Sequence, residues 1–360
     1  MNPLITASFS SFNLYGNILP LKNFIAGAFN TLSRRPTAFP LSINMLITRH
    51  CNYACQMCVS SQCGKIGDEQ DVGLSVIGDL VREVRRYRPV FHIGGGEPLT
   101  RKDMPDILAL IRQNGLKCLM TTNGFLMKGR ALESVATNVD VPIISLYGPR
   151  EVHDKIVGIK GAFERTVEHL KSLLKKRRRG QRIIVSCIAM PESLNSFSSF
   201  LTHLHSLGID AVKIEHLNFL TSKEYAAAAR SPQNEFDLTP AMFLEDRTFQ
   251  ESFVEGLVRL KKMIPALDMP VYMKPYLSDQ QIRDWYHSVS RRDPECRFIT
   301  HSVFINYNGD IIPCQFLPRC VLGNIRKDSL KDIWNSKTYR KLRKTIKEVC
   351  PKVCMRCCKN

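Results

Sequence analysis

Cys51, Cys55 and Cys58 stand in the row RHCNYACQMC at C-x3-C-x2-C spacing, directly after an apolar segment. Structural zinc is almost always closed by four ligands, commonly two separated pairs, and three thiols on one loop do not meet that rule. A cubic iron–sulfur cluster has an iron at each of four corners, each wanting one external ligand. Three thiolates then leave one iron open, and an open iron can bind a substrate. Three further segments sit after apolar runs: FHIGGGEPLT with Gly95, Gly96, Glu97 and Pro98, TTNG at Thr121–Gly124, and ISLYGP at Ile144–Pro149. Glycines let a backbone approach another group closely, and backbone carbonyls with the Glu97 carboxylate can accept from an ammonium group.

The chain has thirteen cysteines; three lie in residues 51 to 58 and seven follow residue 295, which points to two separate centres. In the tail, Cys314 follows Gly309 as G-x4-C, 17 residues separate it from Cys296, and Cys354 and Cys357 form a C-x2-C pair. Four thiols suit either an iron–sulfur cluster or zinc. Cys320, Cys350 and Cys358 are extra thiols that could replace a ligand or join a second cluster, whereas Cys63, Cys118 and Cys187 read as ordinary buried residues.

The elements that must position these residues are legible in the hydropathy pattern. Strand-like runs at Ile43–Thr48, Val90–Ile93, Leu116–Thr122, Val141–Leu146, Arg182–Ile188 and Ala211–Leu217 alternate with helical patterns. Leu74, Ile77, Val81 and Val84 form one apolar stripe and Phe163, Val167, Leu170 and Leu174 another. Gly115, Gly180 and Gly208 fall where helices should stop. Six βα units predict a parallel sheet closed into a partial (β/α)6 TIM-like barrel, an α/β fold, with a small C-terminal α+β unit. That unit is read from FINYNGDIIPC, two strands around an Asn-Gly turn, followed by a helix from Leu330 to about Lys347. The expected divisions are an extension over 1–41, the barrel over 42–220, a connection over 221–290 with a long helix from about Phe243 to Met263, and the cysteine-rich unit over 291–360. The glycine-containing and cysteine-containing loops all fall at the C-terminal ends of strands, where barrel enzymes place their sites.

C-x3-C-x2-C after the first strand, GGEP after the second, and the TTNG and ISLYGP segments resemble the radical S-adenosylmethionine (SAM) superfamily. The resemblance implies a [4Fe-4S] cluster on Cys51, Cys55 and Cys58 whose open iron chelates SAM. Reductive cleavage would then yield a 5′-deoxyadenosyl radical that abstracts hydrogen from a substrate. It also implies SAM contacts by Met57, Gly95, Gly96, Glu97, Pro98, Thr122, Asn123 and Ser145, with Met57 at the position that packs on adenine. The family usually has Asp where Tyr147 stands, so Tyr147 inherits no role; it faces the substrate or is a partly buried aromatic. The tail resembles the "twitch" module, a shortened SPASM domain. This implies one auxiliary [4Fe-4S] cluster on Cys296, Cys314, Cys354 and Cys357, since the full SPASM block is not matched by CPKVCMRCC.

By this similarity the expected reaction is hydrogen abstraction followed by oxidation or bond formation, with an electron donor such as flavodoxin or ferredoxin. His153, Asp154, Glu215, His216, Lys274 and Tyr276 are candidates to assist proton removal, as is Tyr147. The rival substrate is a ribosomal peptide, although about 40 residues before the barrel are too few for a winged-helix leader-binding domain; a lipid-linked substrate is a third reading. The charge of +18, from 51 Lys and Arg against 33 Asp and Glu, suits an anionic partner without naming one. Its densest run, Lys175–Arg179, ends a helix, where cations complement the dipole. A metal-binding protein on nucleic acid is the non-enzymatic reading, but no dedicated nucleic-acid motif accompanies the charge. No apolar run approaches bilayer length, and no basic leader precedes a long apolar block, so a cytoplasmic protein is expected. Residues 1–40 pack on the barrel or lie on a membrane surface as an amphipathic stretch.

Overall fold

The computed structural model describes residues 36–59, 70–229, 236–239, 243–244, 249–287, 296 and 298–357. The readings placed on residues 1–35, on Cys63 and on Cys358 lie outside the described residues. Six strands follow one another in parallel: β1 (Ser42–Leu46), β2 (Val90–Gly94), β3 (Lys117–Thr122), β4 (Val141–Ser145), β5 (Ile184–Ala189) and β6 (Ala211–His216). Helices α1 (Leu74–Val84), α2 (Met104–Gln113), α3 (Gly129–Asn138), α4 (Arg150–Val157), α5 (Ala162–Lys176) and α6 (Phe197–Ser206) connect them. Gly115, Gly180 and Gly208 close α2, α5 and α6 with φ of 71°, 79° and 80°, a conformation in which a side chain is strained. The apolar stripe of α1 differs from the reading at one end, because Leu74 opens the helix and is exposed, while Ile77, Leu80, Val81 and Val84 are buried.

The sheet extends at both edges. The two-residue strands β7 (Phe219–Leu220) and β8 (Phe243–Leu244) pair with each other, and β9 (Val271–Lys274) then adds in parallel to β6. At the other edge β10 (Ser302–Ile305) adds in parallel to β1, and β11 (Asp310–Ile312) and β12 (Gly323–Asn324) follow antiparallel. The result is a ten-stranded open sheet in which the C-terminal hairpin continues the barrel wall. Two helix boundaries differ from expectation. The helix expected from about Phe243 begins at Glu251, because Phe243 and Leu244 are taken by the β7 pairing. The helix expected over Leu330–Lys347 is two, Leu330–Trp334 and Lys337–Val349, because the Ser336 hydroxyl accepts from Tyr339 N at 3.0 Å and starts a new helix.

Along each strand, side chains alternate between two environments. Ile43, Met45, Phe91, Ile93, Cys118, Met120, Val185, Cys187, Val212 and Ile214 pack under the helices in the main core. Burial pushes the Cys118 and Cys187 thiols up, as befits inert core residues. The opposite face forms a smaller cluster of Val90, Leu119, Val141, Ile143, Ile184 and Ala211, with Tyr272 against it. These residues floor the barrel, and beyond them toward the C-terminal rim the inward positions turn polar: Asn44, His92, Thr121, Ser145, Ser186 and Lys213.

At the opposite rim, Asp140 is 6% exposed at the entry to β4. Its carboxylate accepts from Arg178 at 2.7 Å, Cys118 N at 3.0 Å, Lys117 at 3.1 Å and Arg112 at 3.2 Å. Burial opposes its ionisation, but the Cys118 amide, Arg178 and Lys117 prevail and hold its pKa below the ordinary value. Part of the basic run thus serves as fold contacts, with Arg177 also reaching Asp210 at 3.3 Å. Asp140→Ala is expected to lower the unfolding free energy by about 2 kcal/mol at neutral pH, as lost charge-assisted hydrogen bonds should. Because the folded pKa is depressed, this contribution is present above the unfolded-state pKa and disappears as pH falls through the folded one. Urea unfolding of both proteins at neutral and acid pH checks the difference and its loss.

Candidate active site and two groups of cysteines

The loop after β1 carries Cys51, Cys55 and Cys58 and is held from three sides. Gly96 N donates to Thr48 O and Glu97 N to His50 O, both at 2.7 Å. A Cβ on Gly95 would lie 2.5 Å from Thr48 O and one on Gly96 2.2 Å from His50 O. The glycines are therefore required by the cysteine loop itself, which rests directly on the GGEP backbone. From α4, Val157 O and Ile156 O accept from Ala54 N at 3.3 Å and Gln56 N at 3.1 Å. From the TTNG loop, the Asn123 amide donates to Asn52 Oδ1 at 2.9 Å.

Glu97 ties these supports together. Its buried carboxylate accepts from Leu99 N at 2.9 Å, the Thr122 hydroxyl at 2.7 Å and Asn123 N at 2.7 Å. Burial raises its pKa, and these three donors oppose the rise. Pro98 opens the single turn that follows Glu97.

A cavity of about 350 Å³ opens beside the loop. Among its lining residues are Cys51, Cys55, Cys58, Met57, Gly95, Gly96, Glu97, Thr122, Asn123, Ser145, Tyr147 and Glu215, so the structure gathers these proposed residues around one space. Pro98, His153 and His216 are not among them. His153 is buried behind Tyr147: its Nδ1 accepts from Tyr147 N at 3.2 Å and its ring stacks at 5.7 Å. Burial lowers its pKa to about 4, against the pull of Asp154, so it is a neutral support. His216 packs against Trp285 and Tyr286. Asp154 accepts from Gly161 N and Phe163 N and so caps α5, and Tyr276 is 62% exposed.

Residues absent from the sequence-based site also line this cavity, among them Asn44, His92, Ser186, Lys213, Asn306 and Gln315. For Asn44, His92, Ser186 and Lys213 the signal was a polar residue at alternate positions of strands that are otherwise apolar, since parallel strands covered on both faces run nearly continuously hydrophobic.

The three loop thiols fit a cationic iron–sulfur cluster by donor chemistry. Burial, then the neighbouring Cys58 and Cys51, pushes the Cys55 thiol up to about 12; burial, Glu97 and Cys58 raise Cys51 against donation from Tyr53 N. Thiolates crowded in this way are stabilised by a bound cation. A second group gathers at the C-terminus. The Cys354 thiol is raised by burial and then by Cys296, Cys314, Cys357 and Cys350. These thiols are thus charged neighbours of Cys354, with Cys350 at the C-terminus of the Lys337–Val349 helix, but among the described residues no three His, Cys, Asp or Glu side chains are arranged to hold a metal ion as they stand. Cys320 is buried, and burial with nearby Asp237 pushes it up to about 12. Arg356 pins this terminal turn, donating to Glu224 and to Trp285 O, both at 2.6 Å, with its guanidinium 4.1 Å from the Phe219 ring centre.

Comparison with known families agrees with this fold and site: residues 45–204 match the Radical SAM superfamily. Residues 296–358 match the SPASM iron–sulfur cluster-binding domain, so the chain carries a radical SAM domain followed by a SPASM domain. A radical SAM domain implies a [4Fe-4S] cluster with SAM, and a SPASM domain implies auxiliary iron–sulfur binding. An AdoMet-dependent heme synthase of Methanosarcina barkeri is 26% identical over 317 residues, covering 85% of this chain and 86% of that protein. A probable GTP 3′,8-cyclase of Saccharolobus islandicus is 28% identical over 51% of this chain and 63% of its own length. In fold, the chain resembles Streptococcus suis SuiB bound to its precursor peptide SuiA, with a TM-score of 0.66, 16% identity, and coverage of 94% and 75% of the two chains. It also resembles anSMEcpe with bound AdoMet, with a TM-score of 0.58, 17% identity, and coverage of 84% and 82%. Among the described residues no helix is long and apolar enough to cross a membrane.

Gly96→Ala forces the cysteine loop off the GGEP backbone, and a displacement near 1 Å can cost about 100-fold in rate. The variant is expected to cleave SAM about 100-fold more slowly than wild type, with far-UV circular dichroism retained. Parallel rate and dichroism measurements check this.

Proposed function

We propose that this protein uses SAM-derived radical chemistry to oxidise or couple a substrate held between its two groups of cysteines. One observation carries the reading. The same cavity is lined by Cys51, Cys55 and Cys58 and by Gln315, Phe316 and Pro318, which lie within four residues after Cys314. When bound, SAM and its cluster supply hydrogen abstraction, started by an external electron donor such as flavodoxin or ferredoxin, while an auxiliary cluster supplies an electron acceptor.

The chain's own residues hold and seal this space. Cys51, Cys55 and Cys58 would hold the first cluster, and Met57, Gly95, Gly96, Thr122, Asn123 and Ser145 would border SAM. Glu97 would act mainly by locking the loops after β2 and β3. Cys296, Cys314, Cys354 and Cys357 would hold the second cluster, with Cys350 at hand. The apolar floor of Val90, Leu119, Ile143, Ile184 and Ala211 closes the far end against water.

A tetrapyrrole substrate is a second reading, supported by near full-length similarity to three AdoMet-dependent heme synthases at 24–26% identity. A peptide substrate has the fold likeness to SuiB in its support, at 16% identity. Anaerobic titration with iron coproporphyrin III, followed by its Soret band, separates the two: an unchanged band removes the tetrapyrrole reading.

Reconstituted protein incubated anaerobically with dithionite and SAM is expected to form 5′-deoxyadenosine and methionine, measured by mass spectrometry. Cys51→Ala should abolish both products. Cys354→Ala and Cys357→Ala should bind less iron than wild type yet still cleave SAM. Absence of 5′-deoxyadenosine from the wild type sinks the reading, and wild-type iron content in the tail variants sinks the second cluster.

A further inference from the structure

The positive charge of the chain is put to different uses on two helices. On α5 the basic run meets acids of the fold: Lys176 lies 2.8 Å from Glu133, Arg177 3.3 Å from Asp210 and Arg178 2.7 Å from Asp140. The Lys337–Val349 helix, KTYRKLRKTIKEV, carries six cations and one acid, Glu348. One of the six, Arg343, turns inward. Its guanidinium lies 4.2 Å from the ring centres of both Trp334 and Tyr339 and donates to Ile299 O and Trp334 O, both at 3.1 Å. With Tyr339, Leu342 and Ile346 buried as well, the helix is fixed by its inner side.

The other five cations, Lys337, Arg340, Lys341, Lys344 and Lys347, are exposed. At 3.6 residues per turn they share a sector of about 120° opposite the buried stripe, over a length of about 15 Å. Glu348 lies in the same sector and meets Lys344 at 3.8 Å, with the two side chains 61% and 77% exposed. So open a pair contributes little and leaves the face strongly cationic. The helix ends on Cys350, its C-cap residue and one of the thiols that raise Cys354, and exposed Lys352 follows. A fixed cationic face of this kind draws in an acidic macromolecule and sets its orientation. A helix lying in a membrane surface turns an apolar side to the lipid. Here that side is buried in the protein, with Val349 the one exposed apolar residue of the helix. Single-stranded nucleic acid is held by cations together with aromatic stacking platforms, and the one aromatic residue of this helix, Tyr339, is buried.

We propose that the exposed face of the Lys337–Val349 helix is the docking surface for an acidic electron-carrier protein, which it seats beside Cys350 of the second group of cysteines. Naming the partner an electron carrier rests on the radical SAM reading above; the seating of an acidic protein on this face does not.

The test is titration of the reconstituted protein with a flavodoxin, read by biolayer interferometry, with cytochrome c as a basic carrier, phosphatidylserine vesicles and a DNA oligonucleotide in separate arms. Two triple variants change the net charge equally: K337E/K344E/K347E on this helix, and K171E/K175E/R179E at exposed positions on and just after α5. Wild type should bind the flavodoxin but not cytochrome c, with affinity falling as salt rises. K337E/K344E/K347E should weaken flavodoxin binding at least about tenfold, and K171E/K175E/R179E should leave it within about twofold. Far-UV circular dichroism should be retained in both variants. SAM cleavage driven by dithionite, which needs no docking surface, should also be unchanged in both. Equal losses in the two variants report net charge alone and overturn the proposal, as do a loss in neither and an absence of flavodoxin binding to wild type. Binding of vesicles or oligonucleotide, but not flavodoxin, that the helix variant abolishes gives the face to lipid or nucleic acid and also overturns it. Failure of wild-type SAM cleavage with helix-dependent flavodoxin binding intact refutes the reaction and leaves the docking surface standing; normal cleavage without such binding does the reverse.

Discussion

The site depends on a backbone-to-backbone contact that leaves no room for a Cβ. Thr48 and His50 carbonyls accept from Gly96 and Glu97 amides, and any side chain on Gly95 or Gly96 would collide with those carbonyls. Three thiols must be held in a fixed arrangement, and a loop cannot fix itself. Here the rigid strands β1 and β2 lend their order to the loop through two short hydrogen bonds. Glu97 then carries the constraint onward, because its carboxylate binds Thr122 and Asn123 and so locks the third strand's loop to the second's. A buried carboxylate is tolerated only when such donors satisfy it, which makes this tie cooperative with the packing around it.

Period-two alternation turns the same wall into two chemistries. Facing the helices, strands β1 to β6 are mostly apolar, and this face binds the sheet to its cover. Facing inward, β2 to β6 carry apolar residues such as Val90, Leu119, Ile143, Ile184 and Ala211, followed toward the C-terminal end by His92, Thr121, Ser145, Ser186 and Lys213, so a dry floor underlies a polar rim. A fold that buries one end of its inner face and solvates the other places reactive groups at the open end without sacrificing its core.

The six barrel strands were legible because buried parallel strands read as short apolar runs, and the three motif loops because they directly follow those runs. The extra pairings were not, since nothing local to Val271–Lys274 or Ser302–Ile305 states that these strands add to β6 and β1. The late start of the Glu251–Met263 helix has the same cause: Phe243 and Leu244 have a helical partner in sequence and a strand partner in space. The break at Ser336 was readable in principle, since serine is a favoured N-cap residue and its hydroxyl accepts from Tyr339 N three residues on. Within the site, the cysteines announced themselves by spacing, whereas Ser186 and Lys213 are single polar residues whose meaning comes from which face they share.

Sheet order also explains how the Cys51 loop and the segment after Cys314, so far apart in sequence, line one cavity. β10 pairs with β1 in parallel, residue against residue from Ser42↔Ser302 to Met45↔Ile305, so the chain leaving β10 emerges at the same rim as the Cys51 loop. Arg49 lies 5.7 Å from the Tyr307 ring centre across that junction. The hairpin then returns through β11 to Cys314, and Gln315, Phe316 and Pro318 reach the cavity wall. Had the C-terminal unit been tethered as a separate body, its position over the barrel would depend on a linker. Sharing one sheet, it is set by the same backbone hydrogen bonds that hold the barrel, and the approach of Gln315 and Phe316 to the cavity becomes a property of strand register.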